Sequence, residues 1–313
     1  MNEIAVIGAG AWGTALAVLL SHAGREVTLW ARDPAAMATS RVTPRLPGIV
    51  LPAGLTVTGE LAPAGVFLVA VPMQHLAGML ARLPGSAPVV LCCKGLEAGS
   101  LRLAPEVAGA RAAAVLTGPN FAHEVAAGLP AAAVLATPDA VLRTGLMAAL
   151  KTDTLRLYGS ADMLGAALGG AAKNVIAIAA GVVIGAGLGE NARAALITRG
   201  LVEIARLAAA LGGRAETISG LSGLGDLVLT CTGASSRNFS LGVALGAGRK
   251  LPEILAERAG VTEGVATAPA LLARGQAAGV EMPITEAVTR LLAGEMNVAQ
   301  TMAELMGRAL KDE

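Results

Sequence analysis

An apolar, β-rich run, EIAVI, ends at Gly8. GAGAWG then carries the chain from Gly8 to Gly13 straight into TALAVLLSHAG, whose Ala/Leu content and spacing are those of a buried helix. A second strand-like run, EVTLWA, follows, so the glycine turn sits inside a complete βαβ unit. Each glycine has its own task there. Gly8 makes the tight turn, Gly10 lets the backbone approach a pyrophosphate, and Gly13 lets helix and strand pack closely, while the helix N-terminus offers unpaired N–H groups to an anion. The alternative, a structural glycine turn in an unrelated α/β protein, fits this context less well.

The end of the second strand decides which dinucleotide such a unit prefers, because a carboxylate there holds a ribose 2′-OH and an Arg accepts a 2′-phosphate. Here Ala31 is followed by Arg32 and then Asp33, twenty residues past Gly13. Arg32 can stack on adenine and pair with a phosphate, which favours NADP(H) with NAD(H) also accepted. An exposed Arg32–Asp33 turn before Pro34 is the other reading.

Strand-like runs recur through the first half: IAVIGA, EVTLWA, VFLVAVP, APVVLCCKG, AAAVLTGP and AAAVLATP. Helical stretches or loops separate them, which predicts a Rossmann-type, doubly wound, mostly parallel sheet with ligand-binding residues at the carboxyl ends of its strands. The segment TPRLPGIVLPAGLTVTGEL, with three prolines, reads as an irregular excursion with a short extra β pair. From Ala161 onward long Ala/Leu/Ile/Val runs at helical spacing take over, among them ADMLGAALGGAAKNVIAIAAG and ARAALITRGLVEIARLAAALGG. The chain therefore divides into a dinucleotide-binding domain over 1–160 and an all-helical substrate and catalytic domain over 161–313. Tight docking of the two would put the active site in a cleft.

At 313 residues the chain can bury two cores, and with 54% hydrophobic against 15% charged residues its helices must cover much of their surface against other elements or another subunit. A homodimer is the expected form. The net charge of +1, with no basic cluster rich in aromatics, argues against a nucleic-acid partner. Cys92, Cys93 and Cys231 form neither a CxxC pair nor a disulfide framework, in keeping with a reducing cytoplasm, and no metal site is assigned. Glu3 stands where a signal peptide would be basic. Val175–Gly189 is apolar but too short and glycine-rich to cross a bilayer, so no stable membrane insertion is expected.

A nicotinamide cofactor brings hydride, so the protein must bring a proton donor and groups that polarise a carbonyl. Lys173, in the otherwise apolar GGAAKNVIAIAAG beside Asn174, is poised for proton transfer if burial lowers its amine pKa; a snorkelling lysine with a wet head is the alternative. Lys94, at the end of LCCKGLE, either faces ligand at the sheet edge or caps strand-end carbonyls. In GLSGLGDLVLTCTGASSRNFSLG a glycine turn ends on Asp226, and Ser235, Ser236, Arg237 and Asn238 make a phosphate cradle at a helix start. Asp226 either orients Lys173 or caps a helix or turn. The three histidines, His22, His75 and His123, offer weaker candidates.

Taken together, GAGAWGTALA, LWARD, RLPGIVLP, CCKGLE, GPNFAHEVA, AAKNVIAIAAG, GLSGLGDLVLTC, SSRN, VTEGVATA and MPITEAV closely resemble, in order and through nearly the whole chain, the NAD(P)-dependent glycerol-3-phosphate dehydrogenases of the bacterial type. The resemblance implies reversible reduction of dihydroxyacetone phosphate to sn-glycerol 3-phosphate, the backbone precursor of phospholipids. It makes Lys173 the general acid/base, Asp226 its partner, and Lys94 a contact to both substrate and cofactor. Gly118 and Asn120 fall at substrate positions, as do Ser236, Arg237 and Asn238, chiefly toward phosphate, while Asn174 and Thr230 order the site. Gly8, Gly10, Ala11, Trp12, Gly13, Arg32, Ala122, Val261 and Glu263 fall at cofactor positions, with Arg237 touching both ligands. Three residues depart from the family's pattern: Ala11 and Asn120 replace Ser, and Ala172 replaces Leu. A related two-domain dehydrogenase of β-hydroxyacids or a ketopantoate-like substrate would lack SSRN joined to the GLGD turn. A non-enzymatic NAD(P)H sensor would lack the proton donor.

Overall fold

The computed structural model describes residues 3–258 and 260–307. The described chain forms two compact units. The first runs through Lys94 and resumes over Arg102–Ala167; the second comprises Gly95–Leu101 and the chain from Leu168 onward. A predicted boundary at 160/161 thus falls just before a single long helix, Met163–Gly185, whose first turn groups with the first unit.

In the first unit the strands are β1 (Glu3–Ile7), β2 (Glu26–Trp30), β3 (Thr56–Thr58), β4 (Val66–Val69), β5 (Val89–Leu91), β6 (Ala113–Thr117), β7 (Ala131–Ala136) and β8 (Leu155–Ser160). They form one eight-stranded sheet in the order β3-β2-β1-β4-β5-β6-β7-β8. Every neighbour is parallel except β6 and β7. The first six strands have the doubly wound dinucleotide-binding order, with the reversal between β1 and β4. All residues of β4, β5 and β6 are buried, as parallel strands covered on both faces must be.

One strand is placed differently from the sequence reading, and another escaped it. The proline-rich excursion yields an isolated antiparallel bridge, Val42 to Val50, but its TVT does not complete a separate pair; it joins the edge of the main sheet as β3, parallel to β2. At the other edge LRLYGS forms β8 with only Leu155 buried, so no run of apolar residues announces it.

The second unit is helical. Its central element, Met163–Gly185, hereafter the lysine helix, has 23 residues, longer than the apolar run read from sequence suggested. By length and hydropathy it could span a bilayer, yet 89% of its most apolar window is buried inside the protein, as in a core helix. From Gly165 to Val183 every residue is buried. Such burial demands close neighbours, and glycine provides them. A Cβ on Gly181 or Gly185 would overlap the backbone of Phe239 or Val243 in the helix Arg237–Gly246; one on Gly242 or Gly246 would overlap the lysine helix at Ile178 or Val182. The two backbones touch through paired GxxxG faces. We predict that Gly242→Ala, which adds one methyl group at that crossing, lowers unfolding stability by about 1–3 kcal/mol, measured by urea denaturation.

Candidate active site

Lys173 is the only charged residue in the buried stretch Gly165–Val183, and its side chain is 9% exposed. It does not snorkel. Its ammonium donates to Asp226 Oδ1 at short range and to Thr230 Oγ1 at 2.9 Å. The chain delivers Asp226 by an unusual route: Leu221–Gly225 winds as a π-turn that runs directly into the helix Asp226–Thr232. That turn lies against the lysine helix because Gly169 has no side chain there; a Cβ would stand 2.6 Å from the Ser222 carbonyl oxygen. Gly169 precedes Lys173 by one helical turn, so the same face receives both the π-turn and the aspartate.

Thr230 lies four residues after Asp226, on the same face of its helix. Its hydroxyl donates to the Asp226 carbonyl at 2.6 Å, which leaves oxygen lone pairs for the lysine ammonium. Asp226 therefore does not cap its own helix; its carboxylate, 1% exposed, serves Lys173. Cys231, the next residue after Thr230, is buried, and loss of solvation pushes its thiol up to about 12, so it stays neutral and unreactive.

Asn174 points elsewhere. Its Oδ1 accepts from Asn238 Nδ2 at 2.9 Å, and Asn238 Oδ1 in turn accepts from the Gly264 N–H at 3.0 Å. Ser236 is the N-cap of Arg237–Gly246, its Oγ accepting from the Phe239 N–H at 3.2 Å, and Asn238 lies within that helix's first turn. Arg237 is exposed at the same helix start, an arrangement suited to an anion. Val261 is 48% exposed, and Glu263 is half-buried as the first residue of the helix Glu263–Ala277.

In the first unit Lys94 donates to the Gly118 carbonyl at 3.2 Å, just past the end of β6. It thus does what the strand-capping reading expected, at the carboxyl edge where the ligand reading also placed it. Gly118 has φ +149° and would bring a Cβ to 3.0 Å from the Ala132 carbonyl, so no side chain fits. Asn120 Nδ2 donates to that same carbonyl at 3.1 Å, an anchor its longer side chain makes possible.

The glycine loop passes a direct test as a dinucleotide cradle. Gly8 has φ +113° and its Cβ would stand 2.8 Å from the Ala70 carbonyl, and a Cβ on Gly13 would overlap the Gly8 carbonyl. Around Gly10, by contrast, there is open space. Gly10 starts the helix Ala11–His22 with no side-chain cap, leaving its first amides for an anion. Ala11, Trp12 and Ala122 pack around one small cluster containing Ala15, Leu46 and Ala126, and Trp12 Nε1 is enclosed without an acceptor. Arg32 and Asp33 are exposed after β2. These residues fit a dinucleotide.

Sequence reasoning missed Glu203, a buried carboxylate that accepts from Ile284 N at 2.8 Å, Thr285 N at 3.0 Å and Thr285 Oγ1 at 2.6 Å. It holds the N-terminus of the helix Pro283–Leu292, a structural task. A lone Glu in an apolar helical run was its only signal. Gly169 and Gly264 were missed as well, since nothing local distinguishes a glycine that admits another backbone from any other. For the ion pair we predict that Asp226→Ala, which strands a buried ammonium, costs about 3–5 kcal/mol of unfolding stability, whereas Lys173→Met/Asp226→Leu costs much less, measured by thermal unfolding.

Comparison with known proteins identifies the family. Residues 3–142 match the family model described as the NAD-dependent glycerol-3-phosphate dehydrogenase N-terminus, and residues 162–303 match that of the C-terminus. The chain is 63% identical to a glycerol-3-phosphate dehydrogenase (NAD(P)+) of Acidiphilium cryptum, over 99% of this chain and 98% of that protein. It is 53% identical to the protein of the same name from Gluconobacter oxydans, over 98% and 97% of the two chains. The crystal structure of glycerol-3-phosphate dehydrogenase from Coxiella burnetii superposes with a TM-score of 0.93 at 37% identity, covering 98% of this chain and 99% of that one. With both halves matched in order, the chain belongs to the NAD-dependent glycerol-3-phosphate dehydrogenase family.

Proposed function

We propose that this protein is an NAD(P)-dependent glycerol-3-phosphate dehydrogenase that reversibly reduces dihydroxyacetone phosphate to sn-glycerol 3-phosphate and supplies glycerophospholipid synthesis. The observation that carries the reading is the buried Lys173–Asp226–Thr230 cluster, in a chain that also holds an open glycine cradle at Gly10. The dinucleotide, when bound, supplies the hydride. Gly8, Gly10, Ala11, Trp12, Gly13, Arg32 and Ala122 hold it, with Lys94, Arg237, Val261 and Glu263 as further contacts.

The protein's own groups do the rest. Lys173 gives a proton to the alkoxide oxygen as it forms, and takes it back in the reverse direction; Asp226 and Thr230 hold the ammonium in place for that transfer. Lys94 polarises the carbonyl. Its bond to the Gly118 carbonyl fixes its position beside Gly118 and Asn120, the other substrate contacts in that loop. Ser236, Arg237 and Asn238 hold the phosphate at a helix N-terminus, where the amides of the first turn and the guanidinium both favour an anion. Asn174 orders the site through its bond to Asn238.

The domain roles follow the same division, dinucleotide binding in 1–160 and substrate binding and proton transfer in 161–313. The exposed Arg32 supports use of NADP(H) alongside NAD(H). Cysteine usage supports a cytoplasmic location, burial of the lysine helix inside the protein supports a chain without membrane insertion, and the low charge content supports a homodimer. Light scattering at micromolar concentration is expected to give twice the 31.0 kDa chain mass.

The test is oxidation of NADPH and of NADH, followed in parallel with dihydroxyacetone phosphate as substrate. Wild-type protein is expected to turn over with both, and Lys173→Ala to lose on the order of 10²–10⁴-fold in kcat. Dinucleotide binding with no turnover on this substrate would reject the reading.

A further inference from the structure

The helix Glu263–Ala277 starts in an unusual way. Thr262 occupies the N-cap position, yet its side chain makes no cap bond, and its buried Oγ1 has no partner. The Gly264 N–H, one of the first-turn amides that an intrahelical bond cannot satisfy, instead donates to Asn238 Oδ1 at 3.0 Å. The cap thus comes from a different helix. The other end of the same carboxamide donates to Asn174 Oδ1 at 2.9 Å, so an acceptor on one side and a backbone donor on the other fix its orientation.

Asn174 and Asn238 are 5% and 8% exposed, and Gly264 is buried with them. Gly264 is needed for room: a Cβ there would stand 2.6 Å from Asn238 Oδ1, 2.8 Å from Ile178 Cδ1 and 2.9 Å from the Asn174 carbonyl. The helix start therefore rests on the turn of the lysine helix that carries Lys173 and Asn174.

Building on the proposed function, we infer that Asn238 and Gly264 are positioning residues that lock the cofactor-contacting segment around Glu263 to the turn bearing the proton donor. The side chain of Asn238 serves this lock whether or not its remaining amide hydrogen or its backbone N–H also reaches the substrate phosphate. The two roles separate experimentally. A residue that only grips phosphate affects the KM for dihydroxyacetone phosphate and inhibition by inorganic phosphate. A lock also affects dinucleotide affinity and kcat, and its loss frees the helix start even with no ligand present.

The experiment compares wild type with Asn238→Ala, Gly264→Ala, the double variant and Asn238→Asp. It measures NADPH dissociation by fluorescence titration, kcat and KM, phosphate inhibition, and amide hydrogen exchange of the 261–267 segment in ligand-free protein. Asn238→Ala and Gly264→Ala are each expected to weaken NADPH binding about tenfold, lower kcat, and speed exchange across the segment. The double variant is expected to lose little more than the worse single one. Gly264→Ala should leave phosphate inhibition within twofold. Asn238→Asp keeps an acceptor for the Gly264 N–H, and Asn174 can rotate its amide to donate to it. That variant is expected to hold NADPH within threefold of wild type while phosphate inhibition weakens, because the added negative charge repels the anion. If the alanine variants change only the KM and phosphate inhibition, or if their effects on NADPH binding multiply independently, the lock is wrong. Should Asn238→Ala not fold, the Gly264→Ala and Asn238→Asp arms decide alone. Failure of wild type to reduce dihydroxyacetone phosphate would reject the functional reading, while exchange and NADPH titration would still test the lock.

Discussion

The second unit is organised around one ammonium group that has been taken out of water. Lys173 sits in the middle of a helix whose every residue from Gly165 to Val183 is buried, where an unpaired charge would be prohibitive. The carboxylate of Asp226 must therefore reach it, and the surrounding architecture serves that meeting. Gly169 removes the side chain that would hold the π-turn away, the π-turn sets the start of the next helix, and Thr230 fills a further donor of the lysine. A buried ion pair contributes little net stability, and a well-packed apolar replacement would do as well. Stability therefore does not account for the pair, and the proposed proton transfer gives it a purpose.

The first unit follows an opposite logic. Its glycine loop is built to leave groups unsatisfied: an uncapped helix start at Gly10, open space above it, and an indole N–H without an acceptor at Trp12. Buried polar groups without partners are rare in folded chains, and one beside an open, uncapped helix N-terminus fits a site that a ligand would complete.

Much of this was legible from residue order. The βαβ start, the parallel sheet and the helical second half follow from local composition and period, and Lys173 stood out because a lone charge in an apolar helix demands a partner. Asp226 was nameable as that partner because it is the one acid in its glycine-rich stretch. What stayed hidden depends on contacts between residues distant in sequence. β8, at a sheet edge, buries only Leu155 and so lacks a strand's apolar signature. Nothing near Thr262 in sequence says that its helix will be capped by Asn238, and the glycines at 169, 181, 242 and 264 become informative only once the opposing backbone is known. Asn238 itself was read from the SSRN segment as a phosphate contact, and its side chain's bonds to Asn174 and Gly264 could be seen only in three dimensions.

The glycine faces between the lysine helix and Arg237–Gly246 also bear on how far such a protein can be made to withstand heat. Replacing glycine by alanine in helices is a common route to greater stability, because it lowers the entropy of the unfolded chain. That route is closed at Gly181, Gly185, Gly242 and Gly246, where there is no space for a methyl group. It stays open at Gly78, a helical position with nothing near its missing Cβ. In a chain with 40 glycines, gains in thermal tolerance from glycine replacement have to come from the periphery, because the glycine seam beside the buried Lys173 has no room left for added atoms.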